Sequence, residues 1–548
     1  MSSDTDHRTP VLVVGGSLVG LSLSLFLGRL GVPHILVERH AATSAHPRGR
    51  GNNVRTMELF RVAGIEPAIR SAASALAGNR GILRTPSLSG AEERWLLRHV
   101  DAAAGAGPLS PTSWCLCSQN DLEPVLRDAA RELGGDLRFS TELLAFEQDA
   151  RGVTALLRDR DTGRHRTVRA DHLVAADGPR STVRDRLGIR STGPGDLFHS
   201  VSVVFRSKTL ADVVGDRRFV VCYLTDPQAE GALLPVDNRE HWVFHAPWHP
   251  ELGERPEHFT PERCARHIRR ATGVPGLDVE VTGTASWRAA ERIADTFAAD
   301  RVFLAGDAAH QMPPTGAFGS NTGIQDAHNL AWKLAAVRAG WAGPALLDTY
   351  DAERRPVARA TAARASARSR EHGHPGCPRD THAAGTADRA GGMAEAVLGY
   401  RYTRGAVLGA SCEGAVFTTT LGAPAGPGER APHLWLRGDP SRPGLSSTLD
   451  LYERSMVLLS SADDTTGWHA AARDLAREGS VRLASHPIGV GADLRPADGA
   501  DWTRSHGITV DGAVLVRPDG FVAWRSPGPV TDPGAELRRV LARVLRRD

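Results

Sequence analysis

A glycine-rich segment near the start of the chain, Gly15-Gly-Ser-Leu-Val-Gly20, has residue types that suit the binding of a pyrophosphate. Glycine leaves backbone amides accessible, and a helix that begins directly after such a turn directs further amides at an anion. Glu38 follows about twenty residues later, where the dinucleotide pattern places an acidic residue on ribose hydroxyls. The pattern has glycine where this chain has Ser17, which disfavours close phosphate approach and adds a hydroxyl donor. Glycines that only permit a tight turn are the alternative.

Two later segments each end in an aspartate beside a glycine. Asp171-His-Leu-Val-Ala-Ala-Asp177 and Arg301-Val-Phe-Leu-Ala-Gly-Asp307 contain apolar runs of strand length. In an open α/β sheet, ligands bind outside the carboxyl ends of the strands. The pattern therefore predicts that Asp177 and Asp307 lie at the ligand-binding edge of a sheet.

The elements that must position these residues follow from the hydrophobic pattern. Val11–Val14 is typical of a strand buried on both faces of a parallel sheet, and Leu18–Leu30 predicts the helix after it. Ile35–Val37 predicts the next strand and completes a βαβ unit. From about 195 to 285, alternating runs indicate an inserted antiparallel sheet. After a linker at 422–428, strand and helix patterns indicate a small α/β module.

Composition limits the class of protein. The 548 residues suffice for several domains at roughly 150 residues each, and 41% hydrophobic with 24% charged residues is ordinary globular usage. The formal charge of +3 lacks the basic excess that nucleic-acid binding needs, so nucleic acid is not an expected partner. The lysines are Lys208 and Lys333, which limits any mechanism that needs a catalytic lysine.

Cysteine use and the broken apolar run near the N-terminus indicate a cytoplasmic protein. Six cysteines without a CxxC pair are too few for a disulfide scaffold and favour a reducing compartment. Val11–Gly28 has no charged residue, but its glycines divide it into strand, turn and helix, which argues against a signal peptide or membrane span. His372-Gly-His-Pro-Gly-Cys377 has metal-binding residue types without rigid ligand spacing, so no metal site is predicted.

Three motifs in this order resemble the class A flavin-dependent monooxygenases with the para-hydroxybenzoate hydroxylase fold. They are the Gly15–Gly20 turn, Asp177-Gly-Pro-Arg-Ser-Thr-Val-Arg184, and Gly306-Asp-Ala-Ala-His310 followed by Pro313–Gly323. Within that family the chain resembles the aromatic polyketide hydroxylases. The similarity runs through essentially the whole chain and includes Pro47-Arg48, Cys117–Glu123, Asp326–Lys333 and an appended C-terminal domain.

The resemblance implies an α/β fold with three parts. A Rossmann-like FAD-binding domain is discontinuous and comprises residues 1–75, 111–190 and 286–400. An inserted antiparallel-sheet middle domain that binds substrate comprises residues 76–110 and 191–285. A thioredoxin-like C-terminal domain comprises residues 401–548, and it cannot use dithiol chemistry because no cysteine follows Cys412. A packing or dimer-contact role is expected for it.

The same resemblance implies tightly but non-covalently bound FAD. Glu38 is expected to hold the adenosine ribose and Asp307 the ribityl chain, because a carboxylate accepts two hydroxyl hydrogens at once. Arg48 is expected along the cofactor, where an arginine fork offsets diphosphate charge. The residues expected to bind FAD are Gly15, Ser17, Leu18, Val19, Gly20, Glu38, Arg39, Arg48, Gln119, Asp177, Gly178, Arg184, Gly306, Asp307, Pro314, Gly319 and Asn321.

NADPH is expected to bind only transiently. The chain has one dinucleotide turn and no second G-x-G-x-x-G segment, so a resident nicotinamide site is disfavoured. Asp177 and Arg184 are implied to serve NADPH access as well as flavin binding. A salt-bridged turn at the sheet edge is the structural alternative for these two residues.

Pro313–Gly323 is expected to lie against the isoalloxazine ring. Two prolines and three glycines make a stiff path with few side chains, which leaves room for dioxygen. A helix that begins near Asn321 would direct its N-terminal amides and dipole at the negative charge of reduced flavin. Pro314 and Gly316 are therefore expected at the catalytic position. A glycine loop that only caps a helix is the alternative.

The implied substrate is a polycyclic phenolic small molecule of polyketide type. His245 and Tyr223 are expected to line its chamber, with an exposed or internally bonded histidine as the alternative for His245. The implied reaction is hydroxylation by a flavin C4a-hydroperoxide, formed from dioxygen and FAD reduced by NADPH.

Two alternative functions stay open: a Baeyer-Villiger oxygenase on the same fold and a flavin-binding regulator without turnover. A halogenase is disfavoured because neither lysine is expected beside the flavin, and the chain is expected to be a monomer or homodimer.

Overall fold

The computed structural model describes residues 7–100, 108–377, 392–411, 414–418, 420–437 and 445–547. Cys412, and parts of several domain ranges predicted above, lie outside these described residues. Among the described residues, no helix combines the length and apolar character that crossing a membrane requires. The described α-helices are Leu18–Arg29, Val54–Val62, Glu66–Ala72, Gln119–Glu132, Thr182–Arg186, Leu210–Val214, Pro261–Thr272, Phe318–Arg338, Thr349–Glu371, Met393–Leu398, Trp468–Arg477, Trp502–His506 and Pro533–Val544.

A first eight-stranded sheet carries the dinucleotide turn. In spatial order its main path is Ala298–Ala299, Val302–Leu304, His165–Ala175, His7–Val14, His34–Val37 and Asp136–Arg138, and the hairpin Thr141–Asp149 and Gly152–Asp159 extends it. From Val302–Leu304 to Asp136–Arg138 all neighbours run parallel. The prediction that Asp177 and Asp307 follow parallel strands at one edge is confirmed, because Ala175 pairs with Leu304.

The turn between strand His7–Val14 and helix Leu18–Arg29 leaves no space for side chains. Gly15 has φ +108°, and a Cβ atom there would lie 2.2 Å from the carbonyl oxygen of Ala176. A Cβ atom at Gly20 would lie 1.9 Å from the carbonyl oxygen of Gly15. The helix therefore packs directly on the strands, and the predicted βαβ unit is confirmed.

The second eight-stranded sheet forms the middle of the molecule. Its spatial order is His310–Gln311, Glu280–Ala294, Ser191–Arg206, His241–Trp248, Gly231–Pro235, Phe219–Leu224, Gly81–Thr85 and Arg94–Leu97. Neighbouring strands pair antiparallel, as predicted, with one exception. Gly81–Thr85 pairs parallel with Phe219–Leu224, because these strands come from distant parts of the chain and no hairpin sets their direction.

The C-terminal sheet has four strands in the spatial order Leu483–Ile488, Met456–Ser461, Ala513–Val516 and Val522–Ser526. The first two run parallel and are joined through helix Trp468–Arg477. The last two form an antiparallel hairpin that helix Pro533–Val544 follows. This order of strands and helices is that of the predicted thioredoxin-like domain.

A buried ionic cluster (Lys333, Glu353, Arg517 and Asp519) joins the C-terminal hairpin to two long helices. Arg517 donates to both oxygens of Glu353 (2.7 Å each) and to Asp519 (2.9 and 2.5 Å). Lys333 donates to Glu353 (2.7 Å). Burial alone would raise the pKa of Glu353, but Arg517 and Lys333 lower it to about 2. The four charges balance in a region without solvent, so the C-terminal domain is an integral part of the fold.

Candidate active site

The glycine turn and Glu38 form one surface at the carboxyl edge of the first sheet. The amide of Gly16 donates to Oε2 of Glu38 (2.7 Å), and the amide of Gly15 donates to the carbonyl of Val37 (2.9 Å). The amides of Leu18, Val19 and Gly20 begin the following helix, where backbone N–H groups have no acceptor within the helix. These amides and the helix dipole are the features that the sequence analysis expects to bind a pyrophosphate.

Ser17 belongs to a polar cluster beside the turn. Its hydroxyl donates to Oε1 of Glu123 (2.5 Å) and accepts from Nε2 of Gln119 (2.8 Å). Glu123 is 1% exposed and also accepts the amide of Ser44 (2.7 Å). Ser17 and Gln119 thus fasten helix Gln119–Glu132 to the glycine turn. Sequence reasoning placed Glu123 in a family motif without assigning it to the site.

Asp177 and Asp307 both have acceptor capacity that the protein does not use. Oδ1 of Asp177 is buried without a hydrogen-bond partner, while Oδ2 accepts the amide of Val183 (3.3 Å). Asp307 is open to the cleft, yet the surrounding protein limits its hydration and raises the pKa of its carboxyl, against the effects of His310 and Arg48. Burial likewise raises the pKa of Asp177. Unmet carboxylate oxygens in a cleft suit a ligand rich in hydroxyl groups.

Arg184 links the two aspartate loops. Its Nη1 donates to the carbonyl of Ala308 (3.2 Å) and its Nη2 to that of Pro179 (3.3 Å). The ion pair of Arg184 is with Asp185 (3.1 Å), so the predicted turn contains a salt bridge in which Asp177 takes no part. Gly178 has φ +85° with open space around it, and it leaves room for a ligand at this edge.

Two predicted arginines differ in their relation to the cleft. The guanidinium of Arg48 is exposed and acts electrostatically on Asp307 and on His46, so it lies beside the aspartate loops. Arg39 is also exposed, and its carbonyl accepts from Arg160 (2.7 Å). Arg48 therefore remains the arginine expected to contact a diphosphate. For Arg39, the structure shows a hydrogen bond through the backbone carbonyl, and its predicted contact with FAD stays a prediction.

The loop before helix Phe318–Arg338 packs closely around its glycines. Gly316 has φ +91°, Ala317 is left-handed at φ +54°, and the amide of Ala317 donates to the carbonyl of Pro314 (3.0 Å). The helix begins at Phe318, earlier than the predicted Asn321, because the left-handed Ala317 ends the loop. Gly319 lies in its first turn at ordinary contact distance from Met312.

The side chain of Asn321 is fully engaged by the protein. Its Nδ2 donates to the carbonyls of Gly51 (2.7 Å) and Ala317 (2.6 Å), and its Oδ1 accepts the amide of Asn53 (2.9 Å). Asn321 therefore positions two loops through its side chain, and only its backbone remains for the predicted cofactor contact.

A buried ionic relay supports the Gly306–Asp307 loop from behind. Asp326 accepts from Nε2 of His310 (2.6 Å), from the amide of Gly306 (3.2 Å) and from Nε of Arg354 (2.8 Å). A Cβ atom at Gly306 would lie 2.7 Å from Val19 of the first helix. The loop that presents Asp307 is thus fixed by close packing on one side and by charge on the other.

The two faces of the middle sheet have different roles. Val203, Phe244 and other apolar side chains pack in the core with Ile268 of helix Pro261–Thr272. The opposite face carries Tyr223 and His245, which strand alternation places away from that core. Tyr223 is 4% exposed, and Thr315, between Pro314 and Gly316, lies near its hydroxyl. The second face therefore meets the glycine loop, and the space between them is the candidate substrate chamber.

His245, His374 and Tyr223 in the chamber are held neutral by burial. The pKa of His245 falls to about 3, mainly because of burial and also because His374, Arg50 and His46 are nearby. Burial lowers the pKa of His374 to about 4 and raises that of Tyr223 well above its usual value. Nδ1 of His245 has no hydrogen-bond partner. These three residues consequently offer neutral hydrogen-bonding groups to a ligand.

Sequence reasoning missed several residues of the chamber. His372 and His374 lie edge-on to Tyr223, with ring centroids 6.4 and 5.5 Å away. Both ring nitrogens of His46 are buried without partners, and Arg50 is buried close enough to His245 to act on it electrostatically. The charged residues that surround the motif Pro47-Arg48 were a usable signal for this region, whereas the position of His374 depends on tertiary packing.

The residues present fit FAD. The amides at the start of helix Leu18–Arg29 suit a pyrophosphate. An unpartnered oxygen of Asp177 and the open carboxylate of Asp307 can accept hydrogen bonds from hydroxyl groups, and Arg48 supplies positive charge. A family model described as an FAD binding domain matches residues 8–365, and a second, described as the C-terminal part of aromatic-ring hydroxylases, matches residues 425–547. Fold and site thus define a flavoprotein.

Full-length relatives narrow this class. A predicted polyketide hydroxylase of Streptomyces halstedii is 65% identical over 551 residues, 99% of this chain and 98% of the relative. The tetracenomycin A2 monooxygenase-dioxygenase of Streptomyces glaucescens is 42% identical, over 99% of this chain and 97% of its own. A ternary complex of aklavinone-11 hydroxylase with FAD and aklavinone superposes with a TM-score of 0.89 at 37% identity, covering 99% and 100% of the two chains. The chain belongs to the FAD-dependent aromatic-ring hydroxylases and is a flavin-dependent aromatic monooxygenase.

We expect Glu38→Ala to raise the dissociation constant of FAD by about tenfold, since one charged acceptor for ribose hydroxyls contributes roughly 1.5 kcal/mol or more. Turnover at saturating FAD should change little, because Glu38 belongs to the glycine turn of the first sheet, whereas the chamber residues Tyr223 and His245 belong to the middle sheet. Flavin fluorescence titration measures the constant. Glu132→Ala, an exposed change on helix Gln119–Glu132, is the control, and equal affinities for the two variants would contradict the assignment.

Proposed function

We propose that the protein is an FAD- and NAD(P)H-dependent monooxygenase that hydroxylates a polycyclic phenolic compound of polyketide type. The observation that carries this proposal is the proximity of Tyr223 to Thr315, which brings the chamber next to the loop expected against the flavin ring. A flat aromatic ligand on the second face of the middle sheet would lie beside that loop. The relative whose structure holds FAD and aklavinone supports this class of ligand.

When bound and reduced by NAD(P)H, FAD would supply electrophilic oxygen taken from dioxygen. Pro314 and Gly316 shape the loop beside this reaction and keep it poor in side chains. Tyr223 stays protonated and can donate a hydrogen bond to a substrate oxygen, while neutral His245 can donate or accept one. The phenol activates its own ring carbons, so the residues of the chain need to orient it and exclude water.

The proposal also covers the electron donor NADPH, the co-substrate dioxygen, and the location and oligomeric state of the enzyme. NADPH would bind transiently near Asp177 and Arg184, since the chain offers one dinucleotide turn. Dioxygen is the co-substrate, and the open space at Gly178 leaves an approach to this edge of the sheet. We place the enzyme in the cytoplasm on the basis of its cysteine usage, and we propose that it is a monomer or homodimer.

The test is an incubation of purified holoenzyme with NADPH, labelled dioxygen and hydroxylated polycyclic aromatics. We expect substrate-stimulated oxidation of NADPH and a product that carries one labelled oxygen as a new phenolic hydroxyl. Labelled oxygen in a lactone would instead identify a Baeyer-Villiger reaction. No consumption of NADPH with any aromatic substrate would overturn the proposal in favour of a flavin-binding protein without turnover.

We expect Tyr223→Phe to lower kcat/KM by about tenfold, because one buried hydrogen bond to substrate contributes roughly 1 to 1.5 kcal/mol. FAD affinity should be unchanged. Steady-state kinetics of NADPH oxidation coupled to product formation give the ratio. Tyr452→Phe removes another buried hydroxyl, in the C-terminal part, whose oxygen lacks a partner, and it should leave kcat/KM unaltered. Similar losses in both variants would remove Tyr223 from the chamber.

A further inference from the structure

Arg50 differs from the other buried arginines of the protein. The buried arginines among the described residues are Arg50, Arg55, Arg354, Arg364 and Arg517. Four of them contact a carboxylate at 2.7 to 2.9 Å. In the described part of the chain no carboxylate oxygen lies within 4.0 Å of Arg50. A buried cation without a counter-ion is costly, so a partner for this charge is expected from outside the protein.

The hydrogen bonds of Arg50 leave one side of its guanidinium open. Nη2 donates to the carbonyl of Pro235, and Nε donates weakly to Oγ of Ser118 (3.4 Å). Nη1 is buried and has no partner. Pro235 ends a strand of the middle sheet, and Ser118 precedes Gln119 on the flavin side. Arg50 therefore lies at the junction of the middle sheet and the segment before helix Gln119–Glu132, and its Nη1 is a hydrogen-bond donor without a partner.

The groups around Arg50 make this junction a site for an anion. His374, Arg50 and His46 all lie close enough to His245 for electrostatic effects on it. Asp121 on helix Gln119–Glu132 is the acid that acts on Arg50, but it forms no ion pair with it. Burial lowers the pKa of Arg50 to about 10, which is still far above neutral pH. Arg50 thus carries an uncompensated positive charge beside neutral histidines.

We propose that Arg50 binds the ionised hydroxyl of the phenolic substrate and thereby favours the phenolate, the form whose ring carbons react most readily with electrophilic oxygen. This inference rests on the proposed function. On binding, the substrate hydroxyl gives its proton to solvent and keeps the electron pair on oxygen. Nη1 donates to that oxygen, and the negative charge offsets the charge of Arg50. His245, with an unpartnered Nδ1, is placed to bond a neighbouring substrate oxygen.

The experiment measures the ionisation of a coloured phenol on the holoenzyme. A dihydroxyanthraquinone changes its visible spectrum when it loses a proton, and it is titrated with pH on wild-type, Arg50→Lys and Arg50→Gln holoenzymes. An opposite charge at hydrogen-bond distance lowers the pKa of an acid by about 1 to 3 units. We expect the bound phenol in the wild type to ionise at least tenfold more readily than in water. Arg50→Gln should abolish most of this gain, and Arg50→Lys should retain part of it.

Turnover provides a second readout. In Arg50→Gln, kcat at neutral pH should fall by about tenfold or more and should recover as the pH is raised toward the ordinary ionisation of a phenol. A merely structural loss would not recover in this way. Arg239→Gln, an exposed arginine on the turn after Pro235, is the matched control and should match the wild type in both measurements.

Each outcome separates the inference from the proposed function. Equal phenol titrations in the wild type and in Arg50→Gln, with normal turnover of the wild type, would overturn the role of Arg50 and leave the proposed function standing. A changed FAD reduction potential in Arg50→Gln with an unchanged phenol titration would assign Arg50 to the flavin and likewise overturn the inference. A wild-type holoenzyme that binds no hydroxyanthraquinone and consumes no NADPH would overturn both.

Discussion

Asp307→Ala is expected to raise the dissociation constant of FAD by about a hundredfold and to leave most of the purified protein colourless. The open carboxylate of Asp307 is placed to accept two ribityl hydroxyls, and hydrogen bonds to a charged group contribute roughly 1.5 to 3 kcal/mol each. The relay through Asp326 and His310 keeps the loop in place after the change, so the loss reports the carboxylate itself. Flavin absorbance per protein, measured after gel filtration, gives the occupancy.

Two variants set the scale for this result. Asp307→Asn keeps the shape and one acceptor oxygen and should lie between the wild type and Asp307→Ala. Asp474→Ala removes an exposed carboxylate of the C-terminal domain and should retain full occupancy. Normal flavin content in Asp307→Ala would show that the ribityl chain binds elsewhere, and it would remove Asp307 from the site.

Glu353→Gln is expected to destabilise the protein by about 3 to 5 kcal/mol, the cost typical of removing one partner from a buried ion pair. The change leaves Lys333 and Arg517 with a single carboxylate, Asp519, in a region that solvent does not reach. The reduced stability should appear as a lower Tm and a lower denaturant midpoint of the holoenzyme. Glu536→Gln, which breaks an exposed pair with Arg539, should change the free energy of unfolding by less than about 1 kcal/mol.

The charge balance of the cluster predicts a rescue. Lys333→Met combined with Glu353→Gln removes one positive and one negative charge and leaves the Arg517–Asp519 pair intact. The double variant should therefore be more stable than Glu353→Gln alone, because an unpaired buried charge costs more than an uncharged side chain of similar size. A double variant less stable than both single variants would indicate that shape rather than charge governs this region.

Much of the fold follows from local signals in the sequence. The glycine turn, the apolar strand before it and Glu38 after it predict the βαβ unit, because steric demands at Gly15 and Gly20 act between near neighbours in the chain. The parallel pairing of Gly81–Thr85 with Phe219–Leu224 has no such signal. Nothing local in the sequence distinguishes Lys333 and Arg517 from surface residues, because their partner is distant: Arg517 meets Glu353 across 164 positions of the chain.

The residues of the candidate site likewise divide into those that the sequence predicts and those that only the packed structure identifies. Asp177 and Asp307 were predictable because each follows a strand whose end must lie at the ligand edge. Asn321 was placed correctly in the helix, but two of the three hydrogen bonds that occupy its side chain, those with Gly51 and Asn53, come from a segment far away in sequence. Arg50 and His374 enter the chamber from separate segments, and only the packed structure shows them near His245.

The ionic cluster that joins the C-terminal hairpin to the two long helices also limits how this family can diversify by recombination. A crossover that exchanged everything after residue 425 for the homologous part of a relative would replace Arg517 and Asp519 while Lys333 and Glu353 stayed behind. Such a hybrid retains the glycine turn and the chamber, yet its buried charges balance only when the relative that supplies the C-terminal part has the same two charges. Productive exchange of C-terminal parts is therefore restricted to relatives that match at these positions.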